Sequence, residues 1–274
     1  MTAPDFPAMP AVTHPLPKIT VITPSFNQGQ YIQQTIRSVL DQDYPNLEYL
    51  LLDGGSSDGT LKILESYRDR LWFASEPDRG QTHAINKGLA LASGEIVCFL
   101  NSDDQFAPGA LAKVGAFFAA HPECAWLSGR CRIVDEGGVE TLKPISAYKN
   151  FWLAFHSPSV LGVLNYISQP ATFWRRTLLE RVGYLNEELH YAFDYEYWLR
   201  ILQVEKLCVL PEVLALFRVH AASKGSTGVA AQFGEELATA RRLVDSPLLL
   251  RLHAWHNALI LWVYSRIQSR SAGG

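Results

Sequence analysis

The chain has no C-x-x-C pair, no apolar run of the length that crosses a bilayer, no basic cluster and no G-x-G-x-x-G fingerprint. Each absence closes a class. Without paired spacing, Cys98, Cys124, Cys131 and Cys208 make neither a zinc knuckle nor a dithiol centre, and they are expected as reduced core thiols in a reducing compartment. A transmembrane helix needs about 20 apolar residues, so none is expected. A formal net charge of -3 gives no pull toward nucleic acid. The first strand leads into Pro24-Ser25-Phe26-Asn27 rather than a glycine-rich turn, which disfavours a nicotinamide dinucleotide site. The segment 1–17 is proline-rich and has neither the cationic start nor the apolar centre of a secretory signal, so it reads as a disordered lead-in to a cytoplasmic protein.

What is present is a chain of 274 residues, 48% hydrophobic, enough for one large domain with its own core. Short apolar runs alternate with helical periodicity. Ile19 to Thr23, Leu47 to Leu52, Trp72 to Ser75 and Ile96 to Leu100 read as strands, and helices fall between them. This β-α-β-α order predicts an α/β fold: a single, mostly parallel, doubly wound sheet with right-handed crossovers and helices on both faces. Ligands of such sheets collect at the carboxyl ends of the strands. There the chain places Asp53-Gly54-Gly55-Ser56-Ser57-Asp58-Gly59-Thr60, Glu76-Pro77-Asp78-Arg79-Gly80 and Asn101-Ser102-Asp103-Asp104. Two adjacent carboxylates repel unless a cation lies beside them, and a hard divalent ion bridging to phosphates is the common solution. Otherwise they are a solvated turn.

Beyond the fourth strand come a helix from Pro108 to Ala120 and a strand to Val134. Val139 to Pro170 is an irregular aromatic stretch, the expected surround of an active site, in which Trp152 and His156 are candidates to line that site. A strand at Ala171 to Arg175 and a short helix at Leu178 to Val182 follow. A helix from Phe193 to Leu202 then carries Asp194 at its amino end, where free N–H groups and the helix dipole favour a carboxylate. Leu207 to Leu210 and Val213 to Val219 read as two closing strands. The last 50 residues read as a helical tail, 225–274, whose final helix has Trp255 and Trp262 on a dense apolar face, Arg251, Arg266 and Arg270, and no acid. Such a helix suits an anionic membrane surface or packs on its own domain or a partner.

Thr23-Pro24-Ser25-Phe26-Asn27, the Asp53 to Thr60 motif, Glu76 to Gly80 with Ala84-Ile85-Asn86-Lys87-Gly88, Asn101 to Asp104 and Asp194 to Arg200 together resemble a family 2 glycosyltransferase with a GT-A fold, of the bacterial polysaccharide-assembly kind. The resemblance covers most of 18–224, with a nucleotide half at 18–108 and an acceptor half at 109–224. It implies inverting, metal-dependent transfer from a nucleotide sugar, UDP-linked, to a saccharide or polyprenyl-linked acceptor; the expectation of a place at the inner face of the plasma membrane comes from the final helix. Pro24 and Phe26 would wall the base, Asp53 would accept from base or ribose, Arg79 would face the nucleotide and Asp103 would touch the ribose. Asp104 would hold Mn2+ or Mg2+ against the diphosphate, with His220 as a further ligand. Asp194 would be the general base. Phe193 stands where the family often has an acid, which leaves Glu196, Glu187 and Glu188 as alternatives. Asp53 otherwise caps a turn, Arg79 makes a surface ion pair and His220 is a core histidine.

Two other readings fit parts of the chain. Gly55-Ser56-Ser57-Asp58-Gly59 satisfies the nucleophile-elbow pattern of a serine hydrolase using Ser57, but leaves Asp103 and Asp104 unexplained. The other is a catalytically inactive sugar-nucleotide-binding module of a larger complex, against which the presence of Asp104, Asp194 and His220 together speaks.

Overall fold

The structure is a computed structural model that describes residues 16–221, 223 and 228–271, the side chains of 263–271 excepted. The expected lead-in falls outside the described residues up to position 15. Its last two residues already belong to the domain, because Tyr44 donates its hydroxyl to the Pro17 carbonyl at 2.6 Å and Asn46 its amide to that of Leu16 at 2.7 Å.

The amino-terminal half alternates strictly: β1 Ile19–Ser25, α1 Ile32–Leu40, β2 Leu47–Asp53, α2 Thr60–Glu65, β3 Trp72–Ser75, α3 Gln81–Leu91 and β4 Ile96–Phe99. All seven β1 residues are buried and all four of β4, as continuous apolar runs covered on both faces must be. Ile32, Ile36 and Val39 give α1 one buried stripe. Parallel pairing sets Ser25 against Asp53 and Asp53 against Ser75, so three strands deliver polar side chains to one carboxyl edge in a single rung.

The second half adds β5 Gln105–Phe106, α4 Ala110–Ala120, β6 Trp126–Val134, α5 Lys143–Ala154, α6 Pro158–Leu161, a 3-10 turn at Gln169–Ala171, β7 Thr172–Arg175, α7 Leu178–Val182, α8 Phe193–Leu202 and β8 Leu207–Arg218. Two further helices follow, α9 Val229–Leu243 and α10 Pro247–Ser271. One sheet runs in the order β3-β2-β1-β4-β7-β6-β8-β5. It is mixed, since β7 runs against both β4 and β6. A strand buried on both faces reads alike in either direction, so sequence pattern does not reveal the reversal.

Three expectations are corrected. The two closing strands are one, because β8 pairs with β6 throughout and a register shift around Arg130 takes up Pro211 and Glu212. A bulge is where a strand tolerates a residue without an N–H. The irregular aromatic stretch contains α5, whose buried residues are only Ser146 and Leu153, too few to write a periodic stripe. Cys124 and Cys208, expected as separate thiols, are joined in a disulfide with Cα atoms 6.3 Å apart, brought together by β6–β8 pairing. Cys98 and Cys131 are buried free thiols.

The core lies on both faces of the sheet. One side packs Trp126, Trp174 and Trp198 with Phe99 and Ile22, and the other packs α1 and α4 on β1, β4 and β6. Tyr195, Tyr197 and Trp198 are core residues. α3 approaches the sheet closely at Gly88, where an added Cβ would lie 2.5 Å from Ile22 Cγ2 and 3.1 Å from Leu52 Cδ2. Overpacking of this kind costs about 1–3 kcal/mol. Gly88→Ala is therefore expected to unfold at lower urea concentration with an unchanged denaturant slope, since the fold itself is kept.

Candidate active site

The first two strand ends are laced together. Asn27, in the left-handed region at φ 52, donates its backbone N–H to Ser56 Oγ at 2.7 Å and accepts from the Ser57 N–H at 2.9 Å. Gln28 N–H donates to Thr60 Oγ1 at 3.0 Å and Gly29 N–H to Asp58 Oδ2 at 2.9 Å. Asp53 is 3% exposed. Its Oδ2 accepts from Gly55 N–H at 3.1 Å, Ser56 N–H at 2.9 Å and the Ser75 hydroxyl at 2.6 Å, and Oδ1 accepts from the Ser56 hydroxyl at 2.5 Å. Asp53 thus ties the rung together. Pro24 is buried within β1, so of the expected wall only Phe26 presents a face, 60% exposed at the lip. Among the described non-glycine residues, positive φ occurs at Asn27, Asp43 and Leu142 and not at Ser57, which therefore lacks the strained turn of a nucleophile elbow.

The end of β4 holds the acidic pair in two different environments. Asp104 is fully buried. Its Oδ1 accepts from Arg218 N–H at 2.9 Å and its Oδ2 from Asn101 Nδ2 at 3.2 Å. Burial first, and the charge of Asp103 second, raise its carboxyl well above the ordinary value. Asp103 turns outward, its side chain 20% exposed, with Oδ2 3.1 Å from His220 Nε2. His220 packs on the ring of Tyr31 at 4.6 Å. The structure therefore couples the histidine to Asp103, not to Asp104 as expected. A polar chain backs the pair: Gln81 donates to Asn101 at 2.7 Å, Asn101 lies 3.4 Å from Gln169 Oε1, and Gln169 donates to the Phe99 carbonyl at 2.6 Å.

Arg218, which sequence reasoning passed over, is 1% exposed. Its guanidinium donates to the carbonyls of Asp103 at 2.9 Å, Asp135 at 3.2 Å and Glu136 at 2.6 Å, and to Gln34 Oε1 at 2.7 Å. The only sequence signal was a cation closing an apolar strand.

Asp194 sits in the first turn of α8, half-buried, with Oδ1 accepting from Tyr195 N–H at 2.6 Å. Burial pushes its carboxyl up to about 6, against the pull of that N–H and of Lys149 on α5. Lys149 is itself anchored to the Ile167 carbonyl at 3.3 Å. Of the alternatives, Glu196 is ion-paired with Arg200 at 2.9 Å, one helical turn away, and Glu187 is paired with Arg79 at 2.7 Å. Arg79 is thus a surface ion pair at the rim. His156, two residues past the end of α5, has Nδ1 3.2 Å from the Leu153 carbonyl of that helix. Trp152 lines an apolar cavity of about 390 Å³ between α5 and α10, with Tyr148, Leu164, Leu252 and Trp255. A larger depression of about 600 Å³ lies at the amino ends of β2 and β3 and gathers none of these residues.

Asp103 Oδ2 and His220 Nε2 are a hard oxygen and an imidazole nitrogen at the spacing of two neighbouring ligands. Mg2+ and Mn2+ that bridge to phosphates take only one or two protein donors, so the pair fits such an ion. Among the described residues no group of three or more His, Cys, Asp or Glu side chains surrounds a single point.

A family model described as Glycosyl transferase family 2 matches residues 20–183. The chain belongs to glycosyl transferase family 2. The match ends before Asp194 and His220. A glycosyltransferase of Mycobacterium tuberculosis is 32% identical over 189 residues, 67% of this chain and 68% of the relative. The GalNAc(5)-diNAcBac-PP-undecaprenol beta-1,3-glucosyltransferase of Campylobacter jejuni is 29% identical over 74% of this chain and 65% of its own length. Among solved structures, the mannosyltransferase PcManGT of Pyrobaculum calidifontis with GDP-Man and Mn2+ superposes with TM-score 0.72 at 22% identity over 99% of this chain and 79% of that one. S. aureus TarS with UDP-GlcNAc gives TM-score 0.65 at 23% identity, over 84% and 67%. These two likenesses establish the GT-A fold.

The Asp194 carboxyl has a pH consequence. Its folded value of about 6 lies above the ordinary value of 3.8. The native state keeps a proton that the unfolded chain releases, so stability falls as pH rises through that window and stays lower above it. Asp194→Asn removes the loss. The variant is expected to exceed wild type by about 1–3 kcal/mol in urea unfolding at pH 7.5, the difference closing near the lower end of the window.

Proposed function

We propose that this glycosyltransferase moves a sugar with inversion from a UDP-linked donor to a saccharide or polyprenyl-linked acceptor, in cell-surface polysaccharide assembly. The observation that carries the reading is a division of carboxylates: an outward acid paired with a histidine at the end of β4, and a separate acid of raised basicity at the start of α8. Inverting transfer needs both. Asp194 would take the proton from the acceptor hydroxyl as its oxygen attacks the anomeric carbon. A carboxyl near 6 is mostly ionised at neutral pH yet basic enough to serve, and a placed base contributes about 10²–10⁴ in rate. Asp103 and His220 would hold the divalent cation, which takes up charge on the departing nucleoside diphosphate. Asp104 would act from behind, fixing the loop through Arg218. Phe26 would carry the base on its exposed face, and Asp53, with its oxygens largely committed to the rung, would shape the nucleotide pocket. The names of the TarS and Campylobacter proteins, with their UDP-GlcNAc and polyprenyl diphosphate, support the donor and acceptor classes.

Thermal stabilisation by nucleoside diphosphates and nucleotide sugars, with and without Mn2+, tests this on wild type and Asp103→Ala. Ligand bound to the native state raises apparent stability with its affinity. A Mn2+-dependent rise with one nucleotide, lost in Asp103→Ala, is expected; no rise with any nucleotide overturns the reading. Asp194→Asn is expected to bind that nucleotide normally and lose at least about 10²-fold in turnover. A wild type that binds but never turns over would mark the inactive binding module instead.

Peripheral attachment to the inner face of the plasma membrane forms part of this proposal. α10 is turned inside out: His253 and Asn257 are buried, while Leu248, Leu252, Trp255, Leu259 and Trp262 form an exposed stripe. Phe151 on α5 and Phe155 just beyond its end are exposed as well. Arg241, Arg242 and Arg251 are exposed and α10 contains no acid, which complements an anionic bilayer. Arg266 and Arg270 lie outside the described side chains. No described helix is long and apolar enough to cross a membrane. Cosedimentation with phosphatidylglycerol vesicles but not phosphatidylcholine ones, lost in Trp255→Glu, is expected. No sedimentation, or a concentration-dependent dimer in its place, contradicts it.

A further inference from the structure

α8 begins without help from its own flank. Its N-cap residue is Ala192, which offers no side-chain acceptor, so the N–H groups of the turn entering the helix need one from elsewhere. They find it on α9. Glu235 Oε1 accepts from the His190 N–H at 3.0 Å, and Oε2 accepts from Tyr191 N–H at 2.6 Å and Ala192 N–H at 2.7 Å. One carboxylate thus closes on three consecutive amides that end two residues before Asp194. It also puts negative charge at the positive end of the helix dipole. Burial raises the Glu235 carboxyl, but these donors outweigh burial and hold it below the ordinary value.

The neighbouring residue faces the same place. Glu236 is 4% exposed and accepts from Gln232 Nε2 at 3.0 Å. Burial chiefly, and the charge of Asp194 in addition, push its carboxyl up to about 7. Lys149 on α5 acts on both carboxyls, and the His190 charge acts on Glu235. Asp194 is therefore set among Lys149 from α5, Glu236 from α9 and the Tyr195 N–H of its own helix, with Glu235 holding the backbone just ahead of it.

We propose that Glu235 is a positioning residue for the base: by gripping the backbone of 190–192 it fixes the turn that aims and shelters the Asp194 carboxylate. The inference rests on the reading of Asp194 as base. Glu235 touches neither donor nor acceptor and moves no proton. A cap that served only helix stability would be met by a serine or asparagine at position 192, local and short. Here the acceptor comes from a helix some 40 residues later, so α9 must be docked before the base is in place.

The experiment is a 13C NMR titration of the Asp194 carboxyl, assigned by its absence in Asp194→Asn, combined with amide exchange at 190–192. In wild type the midpoint is expected near 6. In Glu235→Gln the amide nitrogen is turned on backbone donors, exchange at 190–192 rises about 10-fold or more, and the Asp194 midpoint falls toward the ordinary carboxylate value as the turn opens to water. Glu235→Asp keeps the charge but shortens the reach. A lowered midpoint there too assigns the effect to lost grip, and it carries the test if the glutamine variant does not fold. An unchanged Asp194 midpoint in both variants overturns the proposal, whatever the exchange rates, because helix capping alone does not move it. Turnover of Asp194→Asn decides the base reading separately: a dead Asp194→Asn with unmoved midpoints sinks only the role of Glu235, and an active one with shifted midpoints sinks only the base.

Discussion

The guanidinium of Arg218 is the constraint on which the candidate site depends. A buried cation is costly unless its donors are met, and here they reach the carbonyls of Asp103, Asp135 and Glu136 and the side chain of Gln34. These acceptors come from the β4 loop, the turn after β6 and α1. The backbone N–H of the same residue accounts for one oxygen of Asp104. Once β8 crosses behind the loop, the peptide at 103–104 has no freedom left: one carboxyl must point in and the other out. The outward one meets His220, two residues beyond Arg218. A pair of like charges that would repel in a solvated turn is thereby divided into a buried acid and an outward one.

The same logic separates three carboxyls by environment. Asp53 is saturated by serine hydroxyls and backbone amides, Asp104 is buried beside a like charge, and Asp194 is half-buried with one strong donor and a distant lysine. On the proposed reading donor-side chemistry would rest on strand ends, which are rigid because parallel pairing fixes their register. Acceptor-side chemistry would rest on a helix start, which is only as fixed as what holds its first turn. The two halves of the site differ accordingly in what they need from the rest of the chain.

The donor half was legible because its signals are local. An apolar run followed by Asp, Gly and Ser announces both a buried strand and the loop at its end, and β1, β2 and β4 stand where their runs stand. Asp194 was legible for the same reason, as an acid opening a periodic segment. What the pattern could not carry was adjacency across long separations. The β7 reversal, the bulge at Pro211, the Cys124–Cys208 bond and the Asp103–His220 pairing all depend on which strand lies beside which. α5 escaped for another reason. It starts at Leu142 with φ 45, a left-handed conformation that nothing in a leucine suggests, and it buries too little to show a period. Arg218 and Glu235 are charged residues in apolar or helical surroundings, and sequence alone reads such residues as solvated.

The region after residue 225 shows how far a boundary drawn on pattern differs from one drawn on packing. Sequence periodicity changes there from strands to helices, which reads as the start of a tail. In the structure Ala240, Leu243 and Leu250 join the tryptophan side of the core, and Glu236 and Thr239 are buried with them. Burying a glutamate is expensive, and a helix serving only to cover apolar surface would place an alanine or leucine at that position. That α9 carries two consecutive acids toward the start of α8 is therefore better accounted for by what they face than by the core they interrupt. On the proposed reading the donor side would combine strand ends of the first half with Arg218 and His220 at the end of β8, and the acceptor side would be completed by α9.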